Sequence, residues 1–289
     1  MSNTEVLTVV SSEPKPSRHR MTARQRVLFL LTGWLIVLMP FLFWWNTWFG
    51  RHLTDQQITE YLRDDKHPRH MQHALIQIGD RMQHHDPNLQ QWYPELVRLS
   101  YSSVEEIRNT DAWIMGQDNS SPDFHAALVK MLNDSSLMVR GNAALSLVRF
   151  GDASGRPQLV ALLQPIKIVS PTQGKVSDTA AAGTAIHQAG LIAKLEHGGR
   201  GSQELRSPIT GRIRSLDVRT GQQVAAGTEI AMVDPDTEQV WEALRGLYAI
   251  GQLEDLSAVT PYQRELPDIP DRVRQQAKLT EEAIRSRAR

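Results

Sequence analysis

The side chains best suited to chemistry in this sequence are five histidines between residues 67 and 85. His70 and His73 are three residues apart, so on a helix they would share a face and could bind a metal ion weakly. His84 would lie about 21 Å from His70 at helical rise, too far to complete that site. No nearby carboxylate has clear ligand spacing. We therefore interpret the run, which also contains His67 and His85, as a solvated helix face and predict no metal ligands.

Common catalytic and nucleotide-binding motifs do not occur in the sequence. It has no G-x-x-x-x-G-K-[ST] loop, no G-x-S-x-G elbow, no H-E-x-x-H pair and no Rossmann set of glycines. We therefore predict no catalytic residue, no small-molecule substrate and no enzyme activity.

Composition narrows the possible partners. The 289 residues carry 32 basic and 32 acidic side chains, so no net field would attract nucleic acid, and we predict no nucleic-acid partner. The chain has no cysteine, which excludes disulfides and thiolate metal sites. Its length suits about two soluble domains.

An uncharged apolar run begins at Val27 and ends at Trp45, long enough to cross a bilayer. Basic residues dominate before the run, which predicts a cytoplasmic N-terminus and a periplasmic or extracytoplasmic location for the rest. We expect residues 1–26 to be a disordered basic tail and residues 27–48 to be a helix crossing the inner membrane once. A cleaved signal peptide is the alternative, but bulky residues follow the run where small ones would be expected.

Helical periodicity dominates residues 53–165, and it repeats. Three helix-length segments end at Gly79, Gly116 and Gly151, spaced by 37 and 35 residues, and a glycine there suits a left-handed helix end. The third unit resembles a HEAT repeat, with matching residues Leu128, Leu132, Asp134, Val139, Arg140, Ala143, Ala144, Leu147 and Gly151. The resemblance implies an α-solenoid; an irregular helical bundle is the alternative.

Residues 166–236 contain a duplicated β pattern. Ser170, Pro171, Gly174 and Gly190 recur 37 residues later as Ser207, Pro208, Gly211 and Gly227, and Gly183 corresponds to Gly221 with a one-residue shift. We interpret these six glycines as structural turn residues between alternating apolar strands. The pattern resembles the biotinyl/lipoyl-type barrel-sandwich hybrid, which also occurs in periplasmic adaptors of the haemolysin-secretion (membrane-fusion) family.

That resemblance raises the question of a covalent cofactor. A biotinyl or lipoyl carrier needs a lysine at the tip of the hairpin that joins its two halves. Here the tip has glycines and Arg200 beside His197, and an arginine cannot form the required amide. We therefore expect no cofactor and treat His197 and Arg200 as a candidate interaction tip. The tip is also too short for the long coiled coil of the adaptors, so a tunnel-building role is not expected.

Residues 237–289 return to helical periodicity. The segment from Val240 resembles the second helix of a HEAT unit whose first helix would be residues 155–164, so the β module would be inserted within one repeat. We therefore predict that these two helices pack together. The fold class expected overall is α+β multidomain: one transmembrane helix, a HEAT-like solenoid and a small inserted all-β module.

The function expected from these features is that of a membrane-anchored scaffold or adaptor that binds protein partners in a membrane complex. The alternative is a subunit of an export or efflux complex, and a biotin or lipoyl carrier is the less favoured third class.

Overall fold

The computed structural model describes residues 22–47, 52–198 and 201–289 in two compact units, residues 1–52 and 53–289. The first unit contains helix α1, Ala23–Thr47, whose segment Ala23–Leu42 is apolar and exposed and is long enough to cross a membrane. A signal sequence near an N-terminus would have the same properties. Residues 1–21 and residue 48, the predicted end of the transmembrane helix, lie outside the described residues.

Helix α1 begins inside the segment predicted to be a disordered tail. The Thr22 amide donates to Gln25 Oε1 at 3.0 Å, and the Gln25 amide donates back to Thr22 Oγ1 at 3.4 Å. This reciprocal capping box starts the helix four residues before the apolar run.

The second unit consists mostly of helices, in pairs. The ranges are α2 Asp55–Leu62, α3 Pro68–Gln83, α4 Tyr93–Leu99, α5 Glu105–Met115, α6 Pro122–Met131, α7 Leu137–Arg149, α8 Arg156–Leu162, α9 Thr237–Ile250, α10 Leu256–Val259 and α11 Asp271–Arg287. Helices α3, α5, α7, α9 and α11 pack side by side in that order. Helices α2, α4, α6, α8 and α10 each pack against one or more of these helices, and we call them the second row. One apolar core contains residues of both rows.

The three repeat glycines do not all end helices as predicted. Only Gly151 has a left-handed backbone, at φ 73°. Gly79 lies within α3, where a Cβ would be 3.1 Å from the Trp113 ring, and a Cβ on Gly116 would be 2.3 Å from Ser146 Oγ. Gly116 does end α5, but in a right-handed conformation, at φ −69°. At both positions glycine allows adjacent helices to approach closely, which periodicity alone does not reveal.

Between α8 and α9 the chain forms a β module with its own apolar core. Its strands are β1 Ile166–Val169, β2 Gly174–Thr179, β3 Ala185–Ile186, β4 Leu191–Glu196, β5 Ser202–Arg206, β6 Gly211–Leu216, β7 Gln223–Val224 and β8 Glu229–Pro235. They form two antiparallel sheets, ordered β1-β8-β6-β3 and β5-β4-β2-β7. The first half contains β1 to β4, and the second half contains their counterparts β5 to β8. Exchanging each strand for its counterpart converts one order into the other, so the module has an internal two-fold relation.

Helices α8 and α9 pack together although the whole β module separates them in sequence. Gln239 Nε2 on α9 donates to the Leu162 carbonyl at the end of α8, at 3.2 Å. Gly246 on α9 lets Leu159 approach so closely that a Cβ would be 2.6 Å from its Cδ1. This is the packing that an inserted module requires. The mixture of helices and strands expected from the sequence is therefore present.

Candidate functional site

The two halves of the β module are joined by matching hydrogen bonds. The Gly183 amide donates to the Ile213 carbonyl, and its counterpart, the Gly221 amide, donates to the Val176 carbonyl, both at 2.7 Å. The buried hydroxyls of Ser170 and Ser207 each donate to a carbonyl two residues later, both at 2.6 Å. Because each half completes the other's turns, the module forms one cooperative body.

The six glycines proposed as turn residues fall into two groups. Gly183, Gly221 and Gly227 adopt φ between 83° and 91°, in turns that favour glycine. Gly174 and Gly211 open strands β2 and β6, where the neighbouring chain lies close. At the turn before β4 the left-handed residue is Ala189, at φ 61°, and Gly190 instead packs against Ile186.

The candidate interaction tip is the hairpin between β4 and β5. His197 Nδ1 lies 2.9 Å from the Gln173 carbonyl oxygen, and the His197 amide donates to the Gly201 carbonyl at 3.1 Å. Its partner in the prediction, Arg200, lies outside the described residues. Lys194, the nearest lysine in sequence, pairs with Glu204 within the sheet.

A second candidate site lies where the β module meets the helices. Gln188, in the turn before β4, donates to Glu105 Oε1 at the start of α5, at 2.6 Å. The same oxygen accepts a 2.6 Å bond from Ser136 Oγ, the N-cap of α7. Leu137 and Met138, in the first turn of α7, pack against the β core. These contacts seat the module on the first turns of α5 and α7.

Beside this contact lies an open cleft of about 970 Å³, which we call the junction cleft. Its lining comes from helices and strands alike: Glu105, Glu106, Ser135, Ser136, Leu137, Arg140, Ala161, Gln164, Pro165, Ile166, Lys167, Gln188, Ala189, Arg206, Ser207 and Pro208. Acidic side chains at the start of α5 and basic side chains from α7, β1 and β5 give the cleft charges of both signs. Such a surface suits polar contacts with a protein.

The helices beneath the junction cleft are joined by an ion pair. Arg108 of α5 donates to both oxygens of Asp134, at 2.6 and 2.9 Å. Burial opposes ionisation of Asp134, but hydrogen bonds from Arg108 and the Ser136 amide outweigh it and lower its pKa. Arg140 donates to the Asp134 and Ser135 carbonyls at 2.6 and 3.0 Å, so the turn between α6 and α7 is held in place.

The histidines are arranged differently from the prediction. His73 faces Gln77, its Nε2 3.0 Å from the Gln77 side-chain nitrogen, while His70 turns to Asp64 near the start of the α2–α3 turn. Hydrogen bonds from His67 and His70 lower the pKa of Asp64. The statement that no nearby carboxylate has suitable spacing is therefore wrong, because the turn brings Asp64 back over α3.

Two features of these sites were not predicted from the sequence. The contact of Gln188 with Glu105 joins residues 83 positions apart, and nothing in either segment indicates the other. Asp64 could have been found by treating the α2–α3 turn as part of the histidine run, since it precedes His67 by only three residues.

Comparison with known proteins adds little to this geometry. No protein-family model matches the chain, and no curated protein matches it. Among solved structures, one match is to a single-chain, multi-domain long-chain acyl-CoA carboxylase, with 20% identity and a TM-score of 0.24. That match covers 35% of this chain and 10% of the carboxylase.

Proposed function

We propose that this chain is a non-enzymatic, membrane-anchored scaffold that binds partner proteins. The observation that carries the proposal is the junction cleft, which the β module and the helices build together. Its walls are held by the Gln188–Glu105 contact and by the Arg108–Asp134 pair, so the cleft is formed before a partner arrives. A preformed surface loses less conformational entropy when a partner binds, because its side chains are already ordered.

The proposal interprets the helices as HEAT-like repeats and the β module as an unmodified relative of the biotinyl/lipoyl barrel-sandwich hybrid. The two rows of paired helices support the first interpretation. The two-fold exchange between the sheets and the duplicated Ser170 and Ser207 turns support the second. Repeats of this kind offer extended surfaces to partners.

Helix α1 supplies the anchor in this proposal. The basic residues before Val27 favour a cytoplasmic N-terminus, with residues 53–289 on the extracytoplasmic side. Confinement to the membrane plane would then limit the partners to proteins in or near the same membrane. Reporter fusions placed after residue 60 and at the C-terminus should both report the extracytoplasmic side, and a cytoplasmic signal from either would refute this orientation.

Site-specific photo-crosslinking tests the docking proposal directly. A photoreactive residue would replace Gln164, which is exposed and lines the junction cleft, or Gln56, an exposed glutamine on α2 that serves as the matched control. We expect a discrete crosslinked band in cells from position 164 and none from position 56. Reversing a cleft charge with Glu106→Lys should reduce that band several-fold while leaving the circular dichroism spectrum unchanged.

The same experiment separates the competing functions. A crosslink to a transport protein would favour the export-complex alternative. Equal crosslinking at both positions, or no effect of Glu106→Lys, would contradict docking in the cleft. A biotinyl or lipoyl adduct in the intact mass would replace the scaffold proposal with a carrier.

A further inference from the structure

Three potential metal ligands converge where the turn after α2 meets the start of α3. Asp64 Oδ2 lies 2.8 Å from His67 Nδ1 and 2.8 Å from His70 Nδ1. The ligand atoms of the three residues all lie within 4.8 Å of one another. Both imidazoles thus turn the same ring nitrogen toward one carboxylate. We call these three residues the Asp64 cluster.

Neighbouring groups hold the cluster in this arrangement. The Tyr61 ring stacks on the His70 ring, with centroids 4.4 Å apart and planes 11° apart. The His67 amide donates to the Asp64 carbonyl at 3.0 Å, which closes the turn. Arg98, from α4, donates to the Leu62 carbonyl at 2.6 Å and to Asp65 at 3.2 Å on the other side of the turn. The ligands therefore need little reordering before they bind an ion.

We propose that the Asp64 cluster is a binding site for a divalent transition-metal cation of the Zn²⁺ or Cu²⁺ class. Two imidazoles and one carboxylate suit these borderline ions, whereas Mg²⁺ and Ca²⁺ take oxygen ligands. In the free protein each Nδ1–H donates to Asp64. When a metal takes the Nδ1 lone pairs, each neutral ring carries its proton on Nε2 instead.

The distances fit such an ion after a small expansion. Tetrahedral zinc with ligands at about 2.0–2.1 Å places neighbouring ligand atoms roughly 3.3 Å apart, about half an ångström more than the present 2.8 Å. The side chains of His67 and His70 are 63% and 44% exposed, so they have room to move outward. The exposed side of the cluster leaves the remaining coordination positions to water or to a ligand from a partner.

Other histidines of this region lack such an arrangement. His84 has one carboxylate nearby, with Nδ1 3.7 Å from Asp80 Oδ1 and 2.8 Å from the Asp80 carbonyl. His73 is turned toward Gln77. His84 is therefore a matched control: it is an exposed histidine directly after α3, with an acidic neighbour but without the second imidazole.

Calorimetric titration of Zn²⁺ into the full chain in detergent, purified without a histidine tag, tests the proposal. We expect one site per chain, with affinity reduced at least about tenfold by His67→Ala, His70→Ala or Asp64→Asn. His84→Ala should bind as the unmodified chain does. Thermal unfolding monitored by circular dichroism establishes that each variant is folded.

Electron paramagnetic resonance of the Cu²⁺-loaded chain provides a second, ligand-specific measurement. We expect hyperfine structure from two imidazole nitrogens, reduced to one by His67→Ala and unchanged by His84→Ala. The proposal is refuted if the unmodified chain binds no stoichiometric ion. It is equally refuted if the Asp64→Asn and His67→Ala variants bind as tightly as His84→Ala does.

Discussion

The two ends of the β module are related by its internal two-fold but differ in what they contact. One end is the attachment to the helices, where Gly211 lies against Asp234 and Pro235. The other is the hairpin tip, where its counterpart Gly174 lies against Glu196 and His197. A Cβ would be 1.8 Å from the Asp234 carbonyl oxygen at the attached end but 3.1 Å from the Glu196 carbonyl oxygen at the tip.

This difference shows how one duplicated pattern serves two purposes. At the attached end the chain must leave β8 and immediately begin α9, whose N-cap Asp236 bonds the Gln239 amide at 2.7 Å. The backbones are therefore packed as tightly as glycine permits. At the tip no helix follows, and the packing is looser. We infer that the attached end sets the geometry of the junction cleft, while the tip tolerates change.

Replacing the counterpart glycines tests this inference with the largest expected effect. Gly211→Ala should lower the free energy of unfolding by about 3 kcal/mol, because the new methyl group would overlap the backbone of β8. Gly174→Ala should cost about 1 kcal/mol or less, since the nearest backbone atom would be 3.1 Å from the new Cβ and the partly exposed His197 side chain can move aside. Urea unfolding measures the loss of stability in each variant. Equal losses would contradict the inference that the attached end is packed more tightly than the tip.

The attached end also depends on a contact between the helices on either side of the insertion. Arg156, at the start of α8, donates to both oxygens of the buried Asp255 after α9, at 3.0 and 3.1 Å. We expect Arg156→Ala to destabilise the chain by about 2 kcal/mol, because Asp255 would lose its cationic partner. Urea unfolding measures this cost. Arg245→Ala is the control: it removes an exposed pair with Glu242 and a contact over the Trp241 ring, and should cost less than about 1 kcal/mol.

Helix α5, on which the β module is seated, carries a buried carboxyl group that should oppose its stability. Among the described residues, no hydrogen-bond partner contacts either oxygen of Asp111. Burial raises its pKa well above the ordinary value, against the attraction of Arg98. We expect Asp111→Ala to stabilise the chain by about 1–2 kcal/mol at pH 7. Asp111→Asn should gain less, because its amide would still be buried without a partner.

The pH dependence of this effect has a definite sign. The folded state binds the Asp111 proton more tightly than the unfolded state, whose pKa is about 3.9. Above that value the wild-type chain therefore loses stability relative to Asp111→Ala, until the raised folded-state pKa is passed. The advantage of the alanine variant in urea unfolding should grow as the pH rises from 4 to 7. A constant advantage would contradict the raised pKa.

The smallest expected changes in stability come from removing a single side chain at either end of the β module. Gln188→Ala removes the hydrogen bond to Glu105 and should cost about 0.5 kcal/mol, since the pair is exposed. His197→Ala at the tip should leave the unfolding midpoint unchanged within error. In the crosslinking experiment, however, Gln188→Ala should alter the yield at position 164 more than His197→Ala does. The opposite ranking would move the docking site to the tip.

Much of the β module could be predicted because its sequence is duplicated. The repeated Ser-Pro and glycine positions indicated two similar halves, and Gly183, Gly221 and Gly227 occupy left-handed turns as their type suggests. The pairing of α8 with α9 followed from recognising an interrupted repeat. Both inferences rest on local patterns that recur at fixed spacing.

Features that depend on approach between distant segments could not be predicted. Gly79 has the spacing of a helix end but lies inside α3, because periodicity reports spacing and not the neighbour a glycine faces. The spacing of Asp64 and His67 could be read from the sequence, but the position of the carboxylate beside His70 depends on how the α2–α3 turn folds back. The contact between Gln188 and Glu105 depends on how two independently patterned regions pack.

The pairing of β1 with β8 places Ile166 opposite Val233, which brings the end of α8 close to the beginning of α9. An unfolded insert from Pro165 to Asp236 would be a long loop, and closing it would cost about 2–3 kcal/mol more in chain entropy than closing a short turn. Once the β module has folded, its two ends are held together, and no further chain entropy is lost in closing the loop. Helices α8 and α9 can then meet as if they were neighbours in sequence, so folding of the insert should precede completion of the helical rows around it.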